Sequence, residues 1–245
     1  SVSKEAAGLR AIILAGGKGT RLAPFTVNFP KPLMPLGDMP VVEVLIRRLT
    51  AYGITDITLT LGHLAELVKA YFSHRQSLVD TIDLRYVEED EPTGTAGSLA
   101  LIDGLNETFL TMNGDVLTDI DFDELIRFHR EKGADLTIAT HERKVKFDLG
   151  VIELDADNRV RGYLEKPESV HHVSMGIYVY EPRVLDLIEK GMYLDFPTLV
   201  LKLLDQGRPV WSYLTDCLWL DIGRPDDYAT AQQMFTESQG TFTSV

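Results

Sequence analysis

The feature that most constrains this chain is the alternation, over residues 10–140, of short β-branched runs with longer stretches of helical spacing. Arg10–Ala15 (RAIILA) is an apolar run that stops at glycines, the pattern of a buried strand. Pro40–Tyr52 places Val41, Val44, Leu45, Leu49 and Tyr52 at helical intervals before Gly53 ends it. The same logic predicts a strand over Ile54–Leu61, a helix over Leu64–Phe72, a strand over Thr81–Val87 and a small-residue helix starting at Thr95. Phe109–Asn113 reads as a strand ending at Gly114-Asp115, Phe122–His129 as a helix and Asp135–Thr140 as extended. The order βαβαβαβαβ predicts a mostly parallel sheet covered by helices on both faces.

The second half breaks the rhythm. Leu149–Leu154, Val160–Leu164 and Val173–Tyr180 read as successive, partly antiparallel strands, and helices fit Arg183–Ile188, Pro197–Leu204 and Asp226–Phe235. There is no internal repeat, low-complexity tract or long linker. The expectation is one α/β domain over residues 10–245, with residues 1–9 as a mobile lead-in that has charges and lacks the apolar block of a signal peptide.

A formal net charge of −13 argues against a nucleic-acid or anionic-membrane partner, since both need a basic face. A chain this acidic that binds phosphates must gather its few basic residues in one place. Cys217 is the only cysteine, so neither an intrachain disulfide nor a cysteine-held structural metal is available. No apolar run approaches the roughly 18 residues of a membrane span. Together these point to a cytoplasmic setting.

LAGGKGTRL (Leu14–Leu22) follows the first expected strand, and its glycines free the backbone to present N–H groups to an anion. Lys18 and Arg21 add donors suited to phosphate oxygens. A plain flexible turn is the simpler alternative. The Walker A pattern fails, because Lys18 is followed by Gly19, and the dinucleotide fingerprint fails, because it needs glycine where Leu22 stands. Downstream, FPKPLMPL (Phe29–Leu36) stiffens the backbone around Lys31 with Pro30, Pro32 and Pro35.

LAGGKGTRL, a short gap and PKPL resemble the signature of sugar-1-phosphate nucleotidylyltransferases. The resemblance continues through EDEPTGTAGSL (Glu89–Leu99), NGD (Asn113–Asp115), EKP (Glu165–Pro167), GIYVY (Gly176–Tyr180) and WLDIGRPDDY (Trp219–Tyr228). It implies a Rossmann-like mixed, mostly parallel sheet flanked by helices, in the glycosyltransferase-A-like manner. It also implies attack by a sugar-phosphate oxygen on the α-phosphorus of a nucleoside triphosphate. That nucleophile is already anionic, so the site needs cations and a metal rather than a general base.

By this resemblance Arg21 and Lys31 would be catalytic, Arg21 holding the β- and γ-phosphates and Lys31 neutralising charge near the α-phosphoryl group. Leu14, Ala15, Gly16, Gly17, Gly19, Thr20, Glu89, Gly94, Thr95, Asn113 and Asp115 would meet the nucleotide. Gly150, Glu165, Lys166, Ser174 and Trp219 would meet the sugar phosphate. Asp115 and Asp221 would ligate Mg²⁺, a hard cation that prefers oxygen. Taken alone, Asp115 is also explicable as a turn residue and Asp221 as a cap. Nucleoside triphosphate and sugar 1-phosphate are the implied partners, and a homo-oligomer stays open.

Some residues stand outside this scheme. Asp226 and Asp227 fit a first helical turn after Pro225, where the dipole favours acids. His171 and His172 are adjacent on a strand, point to opposite faces and cannot readily share a metal. Cys217 reads as a small core residue. Many relatives carry Asn where Ser174 stands, which leaves the sugar open. The GTAG stretch and its preceding acids look more like mannose-1-phosphate guanylyltransferases. Glu89 could accept from N1–H and the N2 amine of guanine, whereas uracil and thymine offer one N–H. Uridylyl or thymidylyl transfer to glucose 1-phosphate or an amino-sugar 1-phosphate stays open. So does a regulatory protein that binds a nucleotide sugar without turnover. The sequence ends soon after the last expected helix, so no β-helix extension is expected within it.

Overall fold

The structure is a computed structural model that describes residues 4–237. Its centre is a seven-stranded sheet of β1 (Arg10–Ala15), β2 (Asp56–Leu61), β3 (Asp83–Glu88), β4 (Phe109–Asn113), β5 (Leu136–Lys146), β6 (Glu168–Tyr180) and β7 (Val210–Leu214). The spatial order is β7-β5-β6-β4-β1-β2-β3. β1 pairs in parallel with β2 and β4, β3 with β2, and β7 with β5. Only β6 runs antiparallel, against both β4 and β5. The sheet is mixed and mostly parallel, as the alternating pattern predicts.

The composition of β1 explains its place at the centre. Successive side chains point to opposite faces, and Ile13 joins one buried cluster while Ile12 joins the other. Both faces are covered, which is why Ala11–Ala15 is continuously apolar rather than alternating. Helices α1 (Val41–Ala51), α2 (Ala65–Ser73) and α3 (Phe122–Lys132) bury their apolar stripes in the first cluster, and α4 (Phe196–Asp205) buries Phe196, Leu199 and Leu203 in the second. α3 shows the local rules plainly. Asp121 caps its start by accepting from the Glu124 amide at 3.1 Å, and Gly133 ends it with φ +60°. Its buried Phe122, Leu125, Ile126 and His129 follow the i, i+3, i+4, i+7 rule.

Several elements differ from expectation. The helix expected at Thr95 is a single turn, Gly94–Gly97, followed by a 3₁₀ segment, Ser98–Leu101. Gly94 and Gly97 pack so tightly on the backbone of residues 192–195 that a Cβ at either would collide. Arg183–Ile188, expected as an α-helix, is a 3₁₀ segment over Pro182–Leu187. β7 is an edge strand that the sequence reading missed. β5 and β6 run well past the sheet. β7 accompanies β5 only to Thr140, and β4 accompanies β6 only over Ile177–Tyr180. Beyond, β5 and β6 pair solely with each other as a ribbon, and it leads into the hairpin Val151–Leu154/Val160–Leu164. The charges of HERKVK hid this strand, because no neighbouring face buries it. The 141–173 segment is called the arm below.

Of the expected mobile lead-in, residues 1–3 lie outside the described residues. Residues 4–9 are docked: Ala6 is fully buried, its amide donates to Asp123 Oδ1 at 2.8 Å, and Glu5 pairs with Arg130 at 2.7 Å. No described helix is long and apolar enough to cross a membrane.

Candidate active site

The chain order makes β1 a switch point, with β2 on one side and β4 on the other, so a crevice opens at their carboxyl ends. A cleft of about 280 Å³ fills it, lined among others by Gly16 and Gly17 after β1, Asn113 and Asp115 at the end of β4, Thr60, Glu89 and Lys31. Gly114 is held under β1, its amide donating to Leu14 O at 2.9 Å, and a Cβ there would stand 3.0 Å from that oxygen. This contact fixes Asp115 against the glycine loop.

A short antiparallel pair, Val116–Thr118 with Trp219–Asp221, brings Asp221 alongside. The Ile222 amide donates to Asp115 O at 2.7 Å. Asp221 is further fixed by Asp227, a first-turn residue of α5 (Pro225–Glu237) whose Oδ2 accepts from the Asp221 amide at 2.9 Å. The two carboxylates then converge. A Cβ at Gly223 would lie 2.7 Å from Asp115 Oδ2, 3.0 Å from Asp221 Oδ1 and 3.1 Å from Arg21 Nη2.

Each acid faces one cation. Lys31 Nζ donates to Asp115 Oδ2 at 2.8 Å, and both side chains are largely buried (18% and 12% exposed). Arg21 Nη2 stands 3.6 Å from Asp221 Oδ2 and keeps 59% of its side chain in solvent. Burial and the neighbouring Asp115 carboxylate push the Asp221 carboxyl above its ordinary pKa, against the pull of Arg21 and Lys31. Two acids held this close gain from a further positive charge. Among the described residues no cluster of three or more His, Cys, Asp or Glu could hold a metal. Two carboxylates are nonetheless the usual protein share of a Mg²⁺ site completed by phosphates and water. The donor set fits that ion.

The loop between them is shaped by glycine. Gly19 adopts φ +63°, a left-handed conformation, and its carbonyl accepts from Thr26 Oγ1 at 2.5 Å. Thr20–Leu22 then forms a 3₁₀ turn that carries Arg21. A 3₁₀ turn over Lys31–Leu33, entered through Pro30, presents Lys31. Lys18 points into solvent. Across the cleft Glu89 accepts from the Thr93 hydroxyl, and its Oε2 would lie 2.6 Å from a Cβ on Gly16. Thr95 lies beside it and accepts from the Phe196 amide at 3.0 Å.

A smaller cavity of about 120 Å³ adjoins the cleft and shares Asn113 and Asp115 with it. Arg21, Ser174, Gly176, Trp219 and Asp221 are among its other walls. Its shape comes from a bulge in β6, where the register shifts between Ser174 and Tyr178. Gly176 takes φ +75° there, and a Cβ would sit 2.5 Å from Asn113 Nδ2. Trp219 donates its indole N–H to Met175 O at 3.0 Å, and Ser174 Oγ engages Tyr178 OH at 3.0 Å and the Gly176 amide at 3.3 Å. Both side chains therefore brace the bulge as well as line the cavity.

Residues 10–238 match the sequence profile described as Nucleotidyl transferase. The chain belongs to the nucleotidyl transferase family. It is 35% identical to a UTP–glucose-1-phosphate uridylyltransferase of Synechocystis, over 90% of this chain and 61% of that protein. It is 34% identical to a mannose-1-phosphate guanylyltransferase of Mycobacterium tuberculosis, over 89% of this chain and 62% of that protein. The chain thus spans less than two thirds of the length of these curated relatives. Among solved structures it resembles HddC from Yersinia pseudotuberculosis, with a TM-score of 0.69 and 25% identity over 93% of this chain and 99% of that one. It shares the fold of a putative glucose-1-phosphate thymidylyltransferase from Bacillus anthracis, with a TM-score of 0.73 and 21% identity over 97% and 96% of the two chains.

Most residues singled out from the sequence come together here, within a family whose members named above handle different bases and sugars. Three do not. Gly150, Glu165 and Lys166 lie on the arm, where Tyr163 crosses Gly150 and its hydroxyl donates to Glu165 Oε2 at 3.2 Å. Lys166 is exposed at φ +44°, 3.7 Å from Asp148. Six residues of continuous strand, about 20 Å of ribbon, separate Ser174 from Glu168, and none of the three lines either cavity. His171 and His172 are exposed on the same strand, and Cys217 is half-buried against the main core cluster. Asp227 sits in the first helical turn as expected, but its hold on the Asp221 amide was not foreseen, and Thr60, Ser98 and Gly223 were missed in the sequence. Gly223, two residues after Asp221, was a legible signal of close approach, whereas nothing local marks Thr60 or Ser98.

Proposed function

We propose that the chain transfers a nucleoside monophosphate from a nucleoside triphosphate to a sugar 1-phosphate, releasing pyrophosphate. The observation that carries this reading is the convergence of Asp115, Asp221, Lys31 and Arg21 around Gly223, beside a glycine loop at the sheet's switch point. A sugar-phosphate oxygen attacks the α-phosphorus as the bond to the pyrophosphate oxygen breaks. No proton needs removal, so the work is charge and alignment.

Lys31, largely buried, is held for the α-phosphoryl group. Arg21, more exposed, suits the departing β- and γ-phosphates. Gly16 and Gly17 offer backbone to the triphosphate, and Asn113 lies where the two cavities meet. Mg²⁺ held by Asp115 and Asp221 would supply neutralising charge to the triphosphate. The sugar phosphate belongs to the cavity of Ser174 and Trp219. Gly150, Glu165 and Lys166 can serve it only if the arm bends toward the cleft. These substrates suit a cytoplasmic setting.

GTP and a mannose-1-phosphate-like sugar are the preferred pair, because Glu89 is an acceptor-only group on the cleft wall and guanine presents two adjacent donors. The Synechocystis relative supports uridylyl transfer as the second reading. Pyrophosphate release from several nucleoside triphosphates, each offered with several sugar 1-phosphates, tests both levels. Activity with no pair refutes the transferase. Activity with UTP or dTTP above GTP refutes only the guanylyl choice. If Glu89 reads guanine, E89Q narrows the gap between GTP and UTP by about tenfold or more.

A further inference from the structure

The loop that carries Arg21 is held from a place outside the cleft. From Gly16 to Pro30 only Leu22, Thr26 and Pro30 are buried, so the loop has few inward anchors. Thr26 is the polar one of the three. Its hydroxyl donates to Gly19 O at 2.5 Å. The same carbonyl receives the Leu22 amide at 3.0 Å, the bond that opens the 3₁₀ turn of Arg21. The Thr26 methyl group also presses on the bare side of Gly19, where a Cβ would stand 3.0 Å from Thr26 Cγ2 and 3.2 Å from the Lys31 stem. Thr26 therefore fixes where the Arg21 turn starts, by hydrogen bond and by contact.

What fixes Thr26 lies just past the end of β2. His63 Nε2 stands 3.1 Å from Thr26 O. A carbonyl oxygen can only accept, so this nitrogen carries a proton and donates, in the neutral and the charged ring alike. The residues on either side of His63 suit it to this reach. Gly62 lets two backbones close up, since a Cβ there would be 2.9 Å from Gly16 O. Leu64 takes φ +58°, a left-handed conformation that a leucine keeps only where its surroundings enforce it. The turn Gly62-His63-Leu64 thus meets the loop twice, at Gly16 through the backbone and at Thr26 through the ring. Lys31 has its own anchors, Pro30 before it and Asp115 at 2.8 Å. The Arg21 guanidinium meets Asp221 at 3.6 Å, beyond hydrogen-bond reach, so its position depends on the turn beneath it. We propose that His63 is a positioning residue for Arg21, acting through Thr26 and Gly19, a role that rests on the transferase reading of the site.

Steady-state kinetics of H63F, H63Q, R21A and H63F/R21A test this, with the nucleoside triphosphate and sugar 1-phosphate that the wild type uses best. Phenylalanine keeps a ring without a donor, and the glutamine amide donates from nearly the reach of Nε2. H63F should lower kcat about tenfold, part of the roughly 10²-fold cost of a 1 Å misplacement. Its KM for sugar 1-phosphate should stay within about twofold of wild type, because that cavity is untouched. H63Q should recover most of the loss. On top of R21A, H63F should cost less than about twofold, because the group it positions is gone. Hydrogen exchange gives a readout that needs no turnover: amides of residues 20–27 should exchange at least about fivefold faster in H63F than in wild type, with those of β1 unchanged. H63F at the wild-type rate, H63Q no better than H63F, an additional loss of about tenfold on top of R21A, or unchanged exchange over residues 20–27 overturns the proposal while leaving the transferase reading in place. Wild type inactive with every substrate pair removes the transferase reading, and this role with it.

Discussion

Replacing Gly223 by alanine probes the site's central geometry without removing a charged group. Its φ lies outside the left-handed range, so alanine is conformationally acceptable there. The added Cβ would lie 2.7 Å from Asp115 Oδ2 and 3.0 Å from Asp221 Oδ1. Relief to ordinary van der Waals contact needs shifts of roughly 0.4–0.7 Å, which flexible carboxylate ends can make at little cost to the fold. The two acids would then no longer share one cation in the same geometry. Displacements approaching 1 Å cost about 10²-fold in well-aligned reactions, equivalent to about 2.7 kcal/mol of barrier. We expect kcat/KM to fall about 10²-fold, with half-maximal activity at several times the wild-type Mg²⁺ concentration and a melting temperature within about 2 °C of wild type. Steady-state pyrophosphate release across a Mg²⁺ titration, with calorimetry on the same samples, measures all three. Wild-type kcat/KM and an unmoved Mg²⁺ dependence would show that Asp115 and Asp221 do not act as a pair.

Other expectations follow from single contacts. K31A should lower kcat by about 10²–10³ with a smaller change in KM, because the ammonium stabilises charge that redistributes in the transition state; a loss confined to KM would make Lys31 a binding residue only. Ser98 lines the cleft while its buried Oγ has no hydrogen-bond partner, so S98A should hold or raise the melting temperature of the free protein by removing an unsatisfied group. A fall of several degrees would mean that a partner such as water already satisfies it. His129 is buried between Thr137 Oγ1 at 2.7 Å and Glu181 Oε1 at 2.9 Å, and burial lowers its pKa despite Glu181. Its unfolded form takes up protons first, so stability should be full above about pH 6.5 and decline as pH falls below it. Urea melts at several pH values check this, and a decline of unchanged size in H129Q would assign it to another group.

The parallel half of the fold was legible because its signals are local. RAIILA is apolar on both faces because β1 is covered on both, and residue runs such as Phe109–Asn113 end where their strands end. Glycines likewise announced the loop that presents Arg21, and three prolines the lysine that faces Asp115. β7 (VWSYL) carries the β-branched and aromatic residues of a strand and was legible although missed, whereas the outer parts of β5 and β6 escaped notice because their pairing, not their composition, makes them strands. The ribbon of residues 141–146 has no face in a core, so no apolar alternation marks it.

What the sequence alone determined is which chemical groups are present and at the ends of which elements: a glycine loop, two cations and two acids, each just past a buried strand or turn. What only the tertiary structure decided is their distance in space. Asp115 and Asp221 are over a hundred residues apart, and a three-residue antiparallel pair with the Ile222–Asp115 hydrogen bond sets them around Gly223. Glu165 and Lys166, nearer in sequence to the bulge residues than Asp221 is to Asp115, stand far up the arm instead. Strand pairing fixes direction as well as adjacency. An extended ribbon carries residues away from a site at about 3.3 Å each, whereas a crossover returns distant ones to it.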